Sequence, residues 1–455
     1  MGQAGWSLRF ILCGALICGV SSAKAETADL AAPAELPGVT REMKNAGFWI
    51  ARHPAPDRLV MNPTCIARFN SQTEAAGLIT DLAQAPVRYD GLRLKGEIAK
   101  MTEDLRSRQL FQVNGLAVDE AFYASLLDNM SLGVIQSEVV VRFALVAVPA
   151  DERLLPTNEP LNARAGDVDF DEVQNSGLDV GTAVMVLHAT ADGRWLFVKE
   201  AASAGWVESA KVVEVSREEA AGYLRRRDIA IVVAPKADIF LDRVMREYFA
   251  SARMGTRLVL KNISGGVAEV LIPQRLIDGT ARFRSGFIAA EDLHPGYLPY
   301  TPRTILRQAF RLLNAPYGWG DMRGEQDCSR FIAMVFATVG IQLPRNSGEQ
   351  ARVGYALAQF KDDTALADKQ ALLAEKSVGA LTLLRLKGHI MLYLGQFHDR
   401  FFSIHAAWSY REPITGGGER TRVIGRVAVT DLSLGTGSTK GSLLQRVLDV
   451  RYLGK

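Results

Sequence analysis

The sequence predicts a multidomain chain: a helical N-terminal region, two small all-β barrels and a C-terminal α+β domain. Three observations point that way. The 455 residues exceed the usual size of one domain. Hydrophobic periodicity changes from helical to strand-like after Glu138, with turn signals at roughly 8–12-residue spacing. A mixed helix-and-strand pattern then takes over at Thr301 and runs to the end.

In order, residues 1–25 read as a secretory signal peptide. Arg9 precedes the apolar run Phe10–Val20, and Ala23 and Ala25 form an Ala-x-Ala cleavage site. Residues 26–135 form an Ala/Pro-rich linker and then a helical region. Thr73–Ala85, Leu92–Leu105 and Asp119–Leu132 carry apolar residues at helical spacing, and Asn62-Pro63-Thr64 reads as a turn. Residues 136–216 form the first barrel, with strands at Val139–Val141, Phe143–Val148, Thr182–Leu187, Trp195–Lys199 and Lys211–Val215. Residues 217–298 form the second, with strands at Ile229–Val233, Thr256–Leu260, Val267–Ile272 and Gly286–Ile288. Residues 299–455 form the α+β domain.

Composition narrows the function. The chain is 48% hydrophobic and 23% charged, which excludes a disordered chain. Its net charge is +3, with no basic block, which argues against nucleic acid as a partner. Removing the leader takes away Arg9 and Lys24 and no acids. Beyond the leader no apolar run is long enough to span a bilayer, so the mature protein is expected without a transmembrane segment. Neither Cys-x-x-Cys nor His-rich spacing suggests a metal site, and no cofactor is expected. Of four cysteines, Cys13 and Cys18 leave with the leader, and Cys65 and Cys328 remain, paired or free.

Cys328 carries the chemical signal. It precedes a run in which residues 331, 332, 335, 336 and 339 share one helical face, with Gly340 as the C-terminal cap. A cysteine at a helix N-terminus gains thiolate character from the dipole and the free N–H groups. The plain alternative is an inert buried cysteine. His389 alternates with Met391 and Tyr393 as in a strand, and His405 lies in a second strand-like run 16 residues on. A hairpin would make the two imidazoles neighbours. One can then take the thiol proton while the other holds its tautomer. His398 falls in the turn between them, and His53, His188 and His294 read as structural.

These residues sit among further motifs: Asn314-Ala315-Pro316-Tyr317-Gly318-Trp319-Gly320, Asp327-Cys328-Ser329, Leu343-Pro344-Arg345-Asn346-Ser347-Gly348-Glu349-Gln350 and Gly388-His389. Their order resembles the NlpC-type cysteine peptidases, over about residues 301–410. The resemblance implies a papain-like fold and an enzyme that cuts peptidoglycan stem peptides. It implies Cys328 as nucleophile, His389 as general base and His405 as the residue that orients the base. It also implies that Tyr317, Asp327, Ser329 and Ser347 line the substrate, Asp327 facing its free amine. Three places depart from the family pattern: Val378-Gly379-Ala380-Leu381 stands where Pro-Gly-Asp is frequent before the base strand, and two single positions differ. Arg330 follows Ser329 and Asp321 follows Gly320, and glycine is usual at both.

Gly193-Arg194-Trp195 and Gly205-Trp206-Val207 resemble the Trp-bearing strands of bacterial SH3 modules. The whole arrangement is similar to the γ-D-glutamyl–diamino acid endopeptidases. That implies an exported, monomeric enzyme of the periplasm or cell envelope, acting on stem peptides or muropeptides with a free N-terminal L-Ala. The loop Asp169–Ser176 resembles the segment of the first barrel that walls the active site in that subgroup. The other readings of this domain set are a wall-binding scaffold and an N-acetylmuramoyl-L-alanine amidase.

Overall fold

A computed structural model of the chain describes residues 30–277 and 279–454. The expected leader, with Cys13 and Cys18, lies outside the described residues. Among the described residues no helix is long and apolar enough to cross a membrane.

Among the described residues, three seven-stranded sheets organise the fold. In the C-terminal domain the strand order is Leu30–Ala31, Glu419–Asp431, Arg400–Pro413, His389–Phe397, Thr382–Leu386, Asp449–Tyr452 and Tyr355–Gln359. Two helices, Pro302–Arg311 and Cys328–Ala337, pack with this sheet into one core. The helix Cys328–Ala337 turns Phe331, Ile332, Val335 and Phe336 inward with no solvent exposure. Gly340 follows in the left-handed region at φ 87°, and the Ile341 N–H returns to the Phe336 carbonyl, so the expected glycine cap is present.

The linker expectation for residues 26–40 does not describe Leu30–Ala31, which adds a parallel edge strand to Arg422 and Val423. Alternation cannot be read in so short a segment, and the pairing is made by backbone groups. The helical pattern also shifts. The expected turn Asn62-Pro63-Thr64 is a helix start, and the helix spans Pro63–Ala75 rather than beginning at Thr73. The Asn62 side chain accepts the Cys65 N–H, and Pro63 sits where a missing N–H costs nothing. Helices Gly91–Arg106 and Glu120–Met130 follow close to the expected positions. The N-terminal region divides between two cores. Trp49, Ile50, Ile66 and Phe69 join that of the C-terminal domain, whereas Leu94, Ile98 and Leu105 pack with Trp206 and Phe197 of the first barrel.

The first barrel is antiparallel, ordered Val212–Val215, Arg142–Val146, Ala183–Ala189, Trp195–Lys199, Ala204–Glu208, Ala150–Arg153 and Gln174–Leu178. Its strand Arg142–Val146 is apolar on both faces for a reason. Ala144 and Val146 face one cluster, and Phe143 and Leu145 face the helices. Val139 and Val140 instead pair with Tyr89 and Arg88 in a separate two-stranded ribbon. The second barrel is ordered Tyr248–Arg253, Lys236–Phe240, Ala281–Ala289, Val267–Arg275, Arg257–Ser264, Ile229–Val232 and Leu293–Pro295. The strands Lys236–Phe240 and Tyr248–Arg253 escape the sequence pattern because charged and polar residues interrupt them.

The first barrel meets the C-terminal domain along Gln174–Leu178 and the loop Trp319–Gly324. The Gln174 amide donates to the Gly320 carbonyl at 3.1 Å. Gly320 has φ 57°, and a Cβ there would stand 2.5 Å from the Gln174 carbonyl oxygen. Gly320→Ala is therefore expected to lower stability by about 2 kcal/mol or more, through left-handed strain plus overpacking. Gly193 has φ 66° but open space around its Cβ position, so Gly193→Ala should lose only about 1 kcal/mol, the strain alone. Urea unfolding of the two variants checks this; equal losses would contradict the contact.

Candidate active site

Cys328 is the first residue of its helix, and its own N–H is among those without an intrahelical acceptor. Asp327 caps the helix, its Oδ1 accepting the Arg330 N–H at 2.9 Å. The sulfur is buried, and the N–H groups of Ile390 and Ser329 point to it. Ile390 follows His389, so the base strand runs directly against the helix start.

The two histidines form the expected hairpin. His389–Phe397 and Arg400–Pro413 pair antiparallel, with Leu392 opposite Ile404 and His398 left-handed in the turn at φ 51°. His389 Nε2 lies 2.7 Å from His405 Nδ1. His405 Nε2 lies 2.8 Å from the Thr430 hydroxyl on the neighbouring strand. Thr430 is the member of this chain that the sequence pattern did not reveal, since a threonine in a β-rich run carries no chemical signal by itself. The chain leaves His389 Nδ1 as the ring nitrogen available for the thiol proton.

Tyr317 is half-buried, and its N–H bonds the Gly425 carbonyl at 2.9 Å. Burial, then the neighbouring Cys328 and Asp327, push its phenol well above the usual range. Ser329 is buried and donates to Asp327 Oδ1 at 3.0 Å. Ser347 is half-buried at the start of the short helix Ser347–Gln350.

Asp327 is engaged on both oxygens. Arg345 donates to Oδ2 at 2.7 Å and to Oδ1 at 3.2 Å, so Oδ1 already has three donors and Oδ2 alone retains capacity. Arg345 also reaches Asp321 Oδ1 at 3.2 Å, the Ser329 hydroxyl at 2.9 Å and the Ser176 hydroxyl of the first barrel at 3.2 Å. The two single-position departures from the family pattern meet here: Arg330 Nε lies 3.3 Å from Asp321 Oδ2. Arg253 of the second barrel lies 3.2 Å from that same oxygen and 2.9 Å from Asp179 of the first. Burial raises the Asp321 carboxyl, but Arg345, Arg330 and Arg253 outweigh it and hold it at about 2.

The loop Asp169–Ser176 contributes a ring rather than charge. Phe170 sits 4.9 Å from Trp408, 5.1 Å from Trp319 and 6.4 Å from Tyr317, centroid to centroid. The two acids that follow it are used internally. Asp171 is buried against Arg153 and accepts the N–H groups of Leu161 and Val173, and Glu172 pairs with Arg108 at 2.9 Å. Trp408 lies within a register shift between Ala407 and Ser409, a bulge that re-aims the side chain. Among the described residues no group of three or more His, Cys, Asp or Glu is arranged to hold a metal.

Residues 314–410 match the model of the NlpC/P60 family, and residues 160–208 match that of an SH3 domain of the SH3b1 type. The C-terminal domain belongs to the NlpC/P60 family of cysteine peptidases. The chain is 31% identical over 96 residues to the γ-D-glutamyl-L-lysine dipeptidyl-peptidase of Bacillus subtilis (strain 168). That match covers 21% of this chain and 30% of the relative's length. The fold as a whole is similar to that of an NlpC/P60 endopeptidase from Photobacterium damselae subsp. piscicida. The TM-score is 0.75 at 20% identity, over 94% of this chain and 99% of the other.

The electrostatics of the NlpC/P60 domain differ from the expectation of a resting thiolate. Burial, then the Asp327 charge, push the Cys328 thiol up to about 12, against the strand N–H of Ile390, Arg345 and the helix N–H of Ser329. Burial likewise lowers His389 to about 4, with Arg446 adding to the shift and Asp327 opposing it. His405 is held well below its usual value by burial and by His389. The resting pair is thus a neutral thiol beside a neutral imidazole, and the dipole is outweighed by desolvation. Such a pair reacts by moving the proton as the sulfur attacks.

The sign of the pH dependence follows. Both histidines have folded values below 6.5, so between about pH 6.5 and about pH 4 the unfolded chain binds protons that the folded chain refuses. Stability should fall as pH falls through that window, and His389→Gln should flatten part of the slope. Urea midpoints at about pH 7, 5.5 and 4.5 for both proteins measure it; identical slopes would count against neutral buried imidazoles.

Proposed function

We propose that the protein is an exported cysteine endopeptidase that hydrolyses the γ-D-glutamyl–diamino acid bond of peptidoglycan stem peptides. The observation that carries this reading is the chain Thr430–His405–His389 set against a cysteine at a helix start. The reading of the bond and substrate draws on the name of the Bacillus subtilis relative and on the first barrel's position beside the site.

In the mechanism, the Cys328 sulfur attacks the γ-carbonyl of D-Glu while His389 Nδ1 accepts the thiol proton. His405 holds the His389 ring through Nε2, and Thr430 holds His405 in turn. The carbonyl oxygen becomes an oxyanion beside the open N–H groups at the helix start, including that of Cys328. The tetrahedral intermediate collapses, His389 returns the proton to the leaving amine, and an acyl-enzyme remains. Water, deprotonated by His389, attacks the thioester and releases the D-Glu γ-carboxylate. Tyr317 and Ser347 line the substrate. Asp327 Oδ2 has one acceptor position left for the free ammonium of L-Ala, whereas Ser329 is spent on Asp327 and Arg345. Phe170 closes the side of the site that a longer N-terminal extension would occupy.

The test is hydrolysis of L-Ala-γ-D-Glu-diaminopimelate peptides, followed by mass spectrometry of muropeptides digested by the wild type and by Cys328→Ala. The expected products are L-Ala-D-Glu and a peptide beginning with the diamino acid. Cys328→Ala should lose at least about 10³-fold in rate. Products cut between sugar and L-Ala would favour an amidase instead, and unchanged rates in Cys328→Ala would remove the mechanism.

A further inference from the structure

Three carboxylates and three guanidiniums form one buried circuit at the meeting point of both barrels and the C-terminal domain. The first barrel contributes Asp179, with Ser176 and the Gly177 N–H on Asp321. The second barrel contributes Arg253. The C-terminal domain contributes Asp321, Asp327, Arg330 and Arg345. Their formal charges cancel. The exit of the circuit is Asp327, the cap of the helix that Cys328 opens.

We propose that Asp321, Arg330 and Arg253 are positioning residues, which act through Arg345 and Asp327 to fix the start of the catalytic helix and the charge balance around Cys328. Asp321 is the hub. Its side chain has no exposure to solvent, and all three guanidiniums lie 3.2 or 3.3 Å from its oxygens. Its backbone stands in the left-handed region at φ 70°, a conformation that a non-glycine residue keeps only if its surroundings hold it. Arg345 shares itself between Asp321 and Asp327, so the position of one carboxylate constrains the other. Arg253 ties the second barrel to the site: its guanidinium is clamped on Asp179 through Nε and Nη2, while Nη1 faces Asp321.

A merely structural circuit and a positioning circuit differ in sign. The groups facing Cys328 are Asp327, Arg345 and Tyr317 and, from the strand that His389 opens, the N–H of Ile390, with His389 next to it in sequence and bonded to His405. Removing a negative charge from a neutral circuit leaves an excess of positive charge, which favours thiolate. Removing a positive charge does the opposite. Loss of packing alone would disturb both variants alike.

The experiment follows iodoacetamide alkylation of Cys328 against pH in the full chain carrying Cys13→Ser, Cys18→Ser and Cys65→Ser, so that one thiol reports. Asp321→Asn suits the left-handed backbone and should move the midpoint down, speeding alkylation at neutral pH by about 3- to 10-fold. Arg330→Gln and Arg253→Gln should move it up, slowing alkylation by about the same factor. The Asp321→Asn/Arg330→Gln double variant restores neutrality and should return within about twofold of the parent. Should a single arginine variant fail to fold, Asp321→Asn decides alone: a downward midpoint supports the proposal and an unmoved one overturns it. Shifts of the same sign in all single variants, or lower melting temperatures with unmoved midpoints, also overturn it. The proposal rests on the cysteine peptidase reading but not on its substrate. A wild type that fails to cut the stem peptide would sink that specificity and leave the alkylation result standing.

Discussion

A carboxylate without access to water holds this molecule's domains in register. Asp321 can remain charged only because three guanidiniums surround it: Arg330 and Arg345 come from its own domain, Arg253 reaches it from the second barrel, and the first barrel adds the Ser176 hydroxyl and the Gly177 N–H. Buried ion pairs are weak sources of net stability, since desolvation costs about as much as the attraction returns. They are strong sources of geometry, because breaking one side leaves an unpaired charge, at about 3–5 kcal/mol. Misdocked arrangements of the barrels are thereby penalised far more than the native one is rewarded. An apolar interface would tolerate sliding; a circuit of directional bonds does not.

The same constraint explains why the proposed catalytic pair, Cys328 and His389, can be so dry. Burial opposes both the thiolate and the imidazolium, and the thiol at about 12 and the imidazole at about 4 record that opposition. The site stores neither charge at rest and holds the donors ready for when charge develops. His389 is fixed through His405 to Thr430, so its tautomer and its ring plane are set by strands rather than by solvent. The open N–H groups at the helix start are likewise fixed, because Asp327 is held on Arg345. Preorganised donors of this kind gain strength from the absence of water.

The parts of this arrangement legible in the sequence are those written in local periodicity. The apolar face behind Cys328 and the alternation around His389 and His405 foretold the helix and the hairpin, and with them the geometry of the pair. The ionic circuit was not legible. Asp179, Arg253 and Arg345 are far apart along the chain, and nothing local distinguishes a solvated arginine from a clamped one. The trace they left was indirect: Arg330 and Asp321 stood out as departures, and the two departures are 3.3 Å apart. Asn62-Pro63 failed as a turn because the same dipeptide caps a helix, and only the residues that follow decide between the two. The cluster Gly416-Gly417-Gly418 carries its meaning locally. All three glycines take positive φ in the connection between the strands Arg400–Pro413 and Glu419–Asp431, where side chains would be strained.

Phe170 shows how a module and an enzyme are fitted together. A loop rich in acids would ordinarily be solvated, but Asp171 is turned back into the barrel by Arg153, and Glu172 is held by Arg108 of the N-terminal region. That inward bracing frees the loop to offer one apolar ring outward, edge-on to Trp408 and Trp319. Edge-to-face aromatic contacts each contribute about 0.5–1.5 kcal/mol beyond burial, enough to seat a loop but not to lock it. The ionic circuit on one side and the aromatic contact on the other therefore differ in kind. The circuit sets where the first barrel stands, and the ring sets how closely its loop covers Tyr317.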